Sequence, residues 1–308
     1  MCNSLERELA ESGARFFGKA AVRAVERARE GFVVRSDGGD FAAPRLILAL
    51  GGKSYPKVGT TGEGYELARA LGHALVPTTA ALVPLLVDVA WVRELSGLTL
   101  PDAAISFVAE SRVVETRRGG LLFTHFGFSG PAPMDLGGSV AAAGDLAQTK
   151  LIVRWLPALE RNEIEARFER AATDAAARPL AAWLADLLPK RLAEALLAVH
   201  GFAPAQRLGE VPRRERARLL ELLHATPLPV AGTRGFDFAE VTRGGVVLDE
   251  VDPKTLQSRR APGFFIAGEL LDVDGPISGF NFTAAFATGA LAGHAAANAT
   301  APPPEPSP

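Results

Sequence analysis

Two short apolar runs, far apart in the chain, constrain its fold more than any other feature. They are RLILAL (Arg45–Leu50) and FFIA (Phe264–Ala267). A continuous apolar run of this length suits a strand buried on both faces, as in a parallel sheet. Each is followed by glycine: Gly51-Gly52 after the first, Gly268-Glu269 after the second. Between them the texture changes twice. From about Thr78 the chain is strand-rich with frequent turns and partial alternation, which reads as a compact antiparallel β unit. From about Pro157 it has helical period, interrupted by Pro179, Pro189, Pro204 and Pro212. After Pro229 strands return. The order α/β, β, α, α/β is that of one α/β domain with a large insertion. The expected segments are 1–77, 78–156, 157–228 and 229–298, followed by a proline-rich tail, 299–308, expected to be disordered.

Smaller signals fit this order. EGFVVRSDGGDF reads as two short strands around an Asp-Gly turn. Thr60 and Glu63 offer a capping box for a helix through GEGYELARALG, which Gly72 closes.

Composition narrows the function classes. The 308 residues carry 33 basic and 35 acidic side chains, so net charge does not point to nucleic acid or to an anionic membrane. The single cysteine, Cys2, excludes an internal disulfide and fits a reducing, cytoplasmic setting. No apolar run approaches the ~20 residues of a membrane span, and no signal peptide is visible. The expected partner is a small-molecule substrate; the oligomeric state is left open.

Several motifs imitate chemistry they do not carry. LILALGGKS resembles a phosphate loop, but the first glycine of G-x-x-x-x-G-K-[ST] falls on Ile47, and Pro56 occupies the expected helix start. FTHFGFSGP offers His125 and Ser129, yet Gly130 directly follows the serine where G-x-S-x-G needs a spacer. The histidines lack metal-ligand spacing, so no metal is expected. PRRERARLL reads as a solvated helix face rather than a nucleic-acid contact. Asp272 and Asp274 suit turn chemistry as well as acid–base work.

The segment GELLDVDGPISGFNFTAAFATG, Gly268–Gly289, carries the strongest signal. It begins at the carboxyl end of an apolar strand, where ligands gather in open parallel sheets. Gly268 allows close backbone approach, and the Glu269 carboxylate can accept hydrogen bonds from a polyol. A helix then starts near Asn281. Its unpaired N–H groups and partial positive charge favour an electron-rich ring edge or an anion. A polyol beside a pyrimidine describes the ribityl-flavin half of FAD.

These residues resemble the C-terminal FAD motif of the BaiN/YhiN-like flavoproteins, a family of NAD(P)/FAD-dependent oxidoreductases. LILALGGKSYPKVGTTGEGYELARALGH, ALVPL, LLFTHFGFSGP and VTRGGVVLDEVDPKTLQS are similar in the same order, so the resemblance covers nearly the whole chain. It implies an FAD/NAD(P)-binding Rossmann-like α/β domain, interrupted by a β-barrel-like insert and a helical insert. It implies FAD as cofactor, with NAD(P)H as a possible electron donor, and hydride transfer to or from an organic substrate. Within the family, unsaturated steroid-like carbonyl compounds are reduced and, in a neighbouring branch, amines are oxidised. By the resemblance Glu269 holds ribityl hydroxyls; Gly279, Phe280 and Asn281 lie under the flavin pyrimidine; Ala49, Gly51 and Gly52 lie near the cofactor. Gly268, Asp274 and Gly275 complete the expected cofactor set. No catalytic residue is assigned; His125, on the substrate side, and Lys53 are the candidates.

The sequence departs from the family pattern at Ser278-Gly279-Phe280-Asn281, where Gly-Gly-Tyr-Asn is usual, and at Thr283, where glutamine is common. It also lacks the opening strand, G-x-G-x-x-G turn, helix and ribose-binding acid; GTTGEG (Gly59–Gly64) has the wrong spacing. The chain is thus read as N-terminally incomplete, by a start-site error or a real loss. Weakened FAD binding and exposed apolar sheet surface are then expected. The alternative is a non-catalytic remnant serving as a binding or scaffold module.

Overall fold

A computed structural model of the chain describes residues 2–299. The chain opens with α1 (Cys2–Glu11) and an antiparallel meander of β1 (Val22–Ala28), β2 (Gly31–Ser36) and β3 (Gly39–Ala43). Next come β4 (Leu46–Leu48), α2 (Glu63–Ala70) and β5 (Leu75–Ala81). The insert holds β6 (Leu85–Leu86), α3 (Ala90–Glu94), β7 (Thr99–Ala109), β8 (Arg112–Thr124), β9 (Gly127–Ser129), α4 (Pro131–Ala142) and β10 (Thr149–Arg154). It continues through α5 (Arg161–Asp174), α6 (Leu180–Leu184), α7 (Lys190–Val199) and α8 (Arg213–His224). The chain closes with β11 (Thr226–Leu228), β12 (Gly232–Thr233), β13 (Val241–Val246), β14 (Phe264–Ile266) and α9 (Phe280–Asn298).

The two apolar runs meet. β4 pairs in parallel with β14, Leu46 against Phe264 and Leu48 against Ile266. Phe264, Phe265 and Ile266 are fully buried, as a two-sided strand requires. β4 is not: Leu48 is buried, but Ile47 is 41% exposed. The reason is topological, since β14 is the only strand paired with β4 among the described residues. The strands expected around the Asp37-Gly38 turn are β2 and β3, with Ser36 opposite Gly39. The capping box at Thr60 does not form. The helix starts at Glu63 behind Gly62, and the Thr60 hydroxyl instead donates to the Ser54 carbonyl at 2.6 Å, tying down the glycine-rich loop.

The insert is built on a seven-stranded antiparallel sheet, ordered β11-β10-β7-β8-β9-β6-β12. Its pairing does not close into a barrel. β11 and β12 are short edges, and β11 carries Pro227, which has no N–H to extend the ladder. The prolines of the helical stretch start helices rather than end them: Pro179, Pro189 and Pro212 sit at the N-caps of α6, α7 and α8. Sheet and helices share one core. Trp155 stacks on Phe123 (6.0 Å, 14°) and meets Trp91 edge-on, while Phe168 packs against Trp183. The one polar atom of the Trp155 ring is satisfied: Nε1 donates to Thr226 Oγ1 at 2.6 Å, which donates in turn to the Leu222 carbonyl.

A second core joins β1, β2, β4, α2, β14 and the carboxyl-terminal end of α9, around Phe32, Tyr65, Phe264 and Ala296. At its edge lies a buried polar cluster. His73 Nε2 is 2.7 Å from Ser258 Oγ, and Nδ1 is 3.1 Å from Glu250. Glu250 also accepts from Ala74 N–H and from the Arg260 guanidinium. The expected tail, 299–308, lies outside the described residues except for Ala299.

Candidate cofactor site

Beyond the carboxyl end of β14 is a cavity of about 430 Å³, within the ~300–1,000 Å³ range of small-molecule sites. Its walls come from the 268–271 turn, Val273, the Ile277–Gly279 loop, the first turns of α9, Leu82, Val241 and Tyr55. Most of this lining is apolar. Glu269 is a half-buried carboxylate among it, and Glu240 an exposed one.

Three elements hold Glu269. Thr242 N–H donates to its Oε1 at 2.5 Å, Tyr65 Oη donates to its backbone carbonyl at 3.2 Å, and Gly52 packs against its side chain. A Cβ at Gly52 would lie 2.4 Å from Thr242 Oγ1 and 2.7 Å from Glu269 Oε1, so only glycine fits this crossing. Burial pushes the Glu269 carboxyl above its ordinary value, against the opposing hydrogen bonds from Thr242 and Gly52. With Oε1 engaged, acceptor capacity remains on the carboxylate for a ligand hydroxyl. Burial also raises the Tyr65 phenol, with the Glu269 charge adding to it.

Gly268 and Gly279 form the cradle at the two ends of the loop. Both have positive φ, +72° and +89°, and a Cβ at either would meet no protein atom within 4 Å. Backbone conformation therefore selects glycine here, and the space beside it is open to a ligand. Gly279 begins α9 without a side-chain cap, so the helix presents uncapped N–H groups to the cavity. The Thr288 hydroxyl ties Gly268 to α9, accepting from Gly268 N–H at 2.9 Å and donating to the Ala284 carbonyl.

Asn281 has a double role. It lines the cavity, and its amide clamps Gly275 from both sides: Gly275 N–H donates to Oδ1 at 2.8 Å, and Nδ2 donates to the Gly275 carbonyl at 2.9 Å. Asp274 faces away and pairs with Arg243 at 3.0 Å. Asp135 of α4 accepts the Ile277 N–H at 2.9 Å. The 274–277 loop is thereby pinned between the insert and β13.

Of the expected cofactor residues, Gly268, Glu269, Gly279 and Asn281 line the cavity. Gly52, Asp274 and Gly275 lie one layer behind it, in the contacts just described. Ala49 and Gly51 continue from β4 toward Gly52 and are not in the lining. Phe280 is 58% exposed, and Phe282 lines the cavity in its place. Lys53 points elsewhere: Nζ donates to Thr78 Oγ1 at 2.9 Å and sits over the Tyr65 ring. His125 is exposed, edge-on to Phe126, and outside the cavity wall. It is α4, following FTHFGFSGP, that reaches the loop, through Asp135.

Sequence reasoning missed Tyr55 and Thr242. Thr242 receives Lys53 N–H at 2.7 Å while its own N–H caps Glu269, so it stitches β13 to both glycine-rich turns. Tyr55 is left-handed (φ 54°, ψ 58°), although the residue before a proline favours extended backbone. Its N–H donates to the Phe236 carbonyl at 3.0 Å, which holds the strained residue with its ring at the cavity. The only hint in the sequence was its place beside Gly51-Gly52.

An open cavity at the carboxyl end of a parallel strand pair, beside an uncapped helix start, defines an α/β protein of the nucleotide-cofactor-binding class. The HI0933-like protein Rossmann domain matches residues 1–295, and the chain belongs to that family of flavoprotein oxidoreductases. It is 34% identical over 294 residues to a 3-dehydro-bile acid delta(4,6)-reductase of Clostridium scindens, covering 95% of this chain and 72% of the relative. It is 31% identical over 264 residues to the ribosomal RNA dihydrouridine synthase of Escherichia coli, covering 86% of this chain and 63% of that protein. The corresponding synthase of Haemophilus influenzae is 29% identical over 284 residues, covering 90% of this chain and 67% of the relative. The chain thus spans about two thirds of the length of these relatives.

Proposed function

We propose that the cavity takes the ribityl–isoalloxazine half of FAD, and that the chain serves a flavin-dependent reductase acting on a small organic substrate. The observation that carries this reading is the position of Glu269. It is a half-buried carboxylate beyond the end of β14, anchored by Thr242 and facing the same cavity as the uncapped start of α9.

The residues fit the group. Glu269 accepts from ribityl hydroxyls. The α9 amides favour the electron-rich pyrimidine edge, and Asn281 holds the loop beside it. Leu82, Val241, Ile277 and Phe282 supply apolar walls. FAD, when bound, supplies two-electron hydride chemistry. NAD(P)H or an organic donor is the source of those electrons. Tyr55 places a phenol at the wall, where it can hold or deliver a proton. The relatives' names point to two substrate classes, a bile acid and ribosomal RNA. A chain with 33 basic and 35 acidic residues favours the small molecule.

Titration with FAD, followed by the shift of its visible absorption, tests the reading. Glu269→Gln keeps an acceptor for Thr242 N–H but removes the charge. A charge-assisted hydrogen bond is worth ~1.5–3 kcal/mol, so Kd for FAD rises roughly 10- to 100-fold. Identical isotherms for wild type and variant contradict the proposal.

A further inference from the structure

Next to the cavity sits an arginine that neither the fold nor the proposed cofactor uses. Arg234 follows β12, and its guanidinium lies over two aromatic rings. Its carbon lies 3.2 Å from the centre of the Phe238 ring and 4.5 Å from that of Phe126. Phe238 belongs to the short 3-10 turn Phe236–Phe238, and Phe126 to the turn between β8 and β9. The cation is therefore gripped from both parts of the molecule. With the guanidinium held against two rings and no side-chain hydrogen bond of its own among the described residues, its fork of N–H donors is what remains to bind. Among the described residues no carboxylate pairs with it, whereas nearby Arg243 is taken up by Asp274 and Ser139.

The backbone ties Arg234 to the cavity wall. Its N–H donates to the Pro84 carbonyl, and two residues back along that segment Leu82 accepts from Glu240 N–H. Leu82 and Glu240 both line the cavity. Phe236, two residues after Arg234, supplies the carbonyl that holds Tyr55 in its strained conformation. An immobilised arginine beside a cavity has already lost much of the rotamer freedom that binding would otherwise take away. Its geometry matches a planar oxyanion held by two parallel hydrogen bonds.

We propose that Arg234 binds a carboxylate on the substrate, whose reacting end enters the cavity past Tyr55. This rests on the reading of that cavity as the flavin site. A single fork suits one oxyanion on a compact molecule. A polyanion would meet Asp237 and Glu240, both exposed on the same segment, and a chain of net charge −2.

The test uses a rigid polycyclic α,β-unsaturated ketone bearing a carboxylate, and its methyl ester. Binding of each is measured by calorimetry to wild type, Arg234→Gln and Arg234→Lys, with and without saturating FAD. Wild type is expected to bind the acid at least tenfold more tightly than the ester. Arg234→Gln abolishes that ratio with the ester unchanged, Arg234→Lys keeps part of it, and FAD affinity stays within twofold throughout. An unchanged ratio in Arg234→Gln, an equal loss for acid and ester, or failure of wild type to bind either probe overturns the proposal. So does Arg234-dependent binding of a uridine oligoribonucleotide in preference to the acid, which would identify a phosphodiester instead. If wild type shows the acid preference but no FAD binding, the flavin reading fails and the Arg234 site stands.

Discussion

In the insert, Phe107, Phe123, Phe128, Trp155 and Phe168 are fully buried, and the exposed large apolar residues are confined to Val113, Val114 and Val199. The cofactor half departs from this pattern in its last helix. α9 is mostly apolar with no distinct polar face, yet Phe280, Phe282, Phe286 and Leu291 are exposed, and only Ala292 and Ala296 are buried. An all-apolar helix is ordinarily an interior one. The insert thus spends its aromatic residues on its own stability. The other half buries Phe32, Tyr65, Phe264 and Phe265 in a core of its own but leaves the large apolar residues of α9 exposed, with Phe282 at the cavity, where a ligand's ring can meet it. The same contrast appears in the polar groups. Buried Thr226 is satisfied between Trp155 and Leu222, while Glu269 keeps acceptor capacity facing the cavity.

Truncating a ring in each half measures the contrast most strongly. Trp155→Ala is expected to cost ~3–5 kcal/mol by urea unfolding, whereas Phe282→Ala, 70% exposed, should stay within about 0.5 kcal/mol. Equal losses would break the comparison. Tyr55→Gly sharpens it from the other side. Relieving the left-handed backbone should raise stability by about 1 kcal/mol while slowing substrate turnover; a destabilised variant would show that Tyr55 is there for packing. The smallest effect concerns pH. Burial lowers the His73 pKa below its ordinary 6.5, so below pH 6.5 the unfolded chain binds more protons than the folded one. Stability is then full above 6.5 and falls with acidification through the folded-state value. Melting temperature against pH checks this, with His73→Gln expected to flatten the slope in that window.

How much was legible follows the same division. The strands Phe264–Ile266 and Leu46–Leu48, the Asp37-Gly38 turn and the start of α9 could be read because local pattern and turn chemistry determine them. The shared core of sheet and insert helices could not, since Trp155 and Thr226 are brought together only by tertiary packing. At the site, Gly268, Glu269, Gly279 and Asn281 sit in one contiguous segment and were accessible to sequence reasoning. Thr242, Tyr55 and Arg234 come from other segments. Their roles depend on a backbone angle, on an N–H aimed across strands and on two rings closing over a guanidinium, none of which leaves a residue pattern. Lys53 shows the opposite limit: its place beside Gly51-Gly52 is suggestive in sequence, but the direction of its side chain, toward Thr78, is set only by the fold.

The central claim is that the open half of the molecule is a flavin-binding face and the insert is not. Amide hydrogen exchange on the full chain, with and without saturating FAD, tests it segment by segment. Added protection is expected in residues 240–242, 268–271 and 277–288 and none in the core strands β7, β8 and β10. Protection spread evenly over the insert, or no change around Glu269 and the first turns of α9 despite bound FAD, would contradict it.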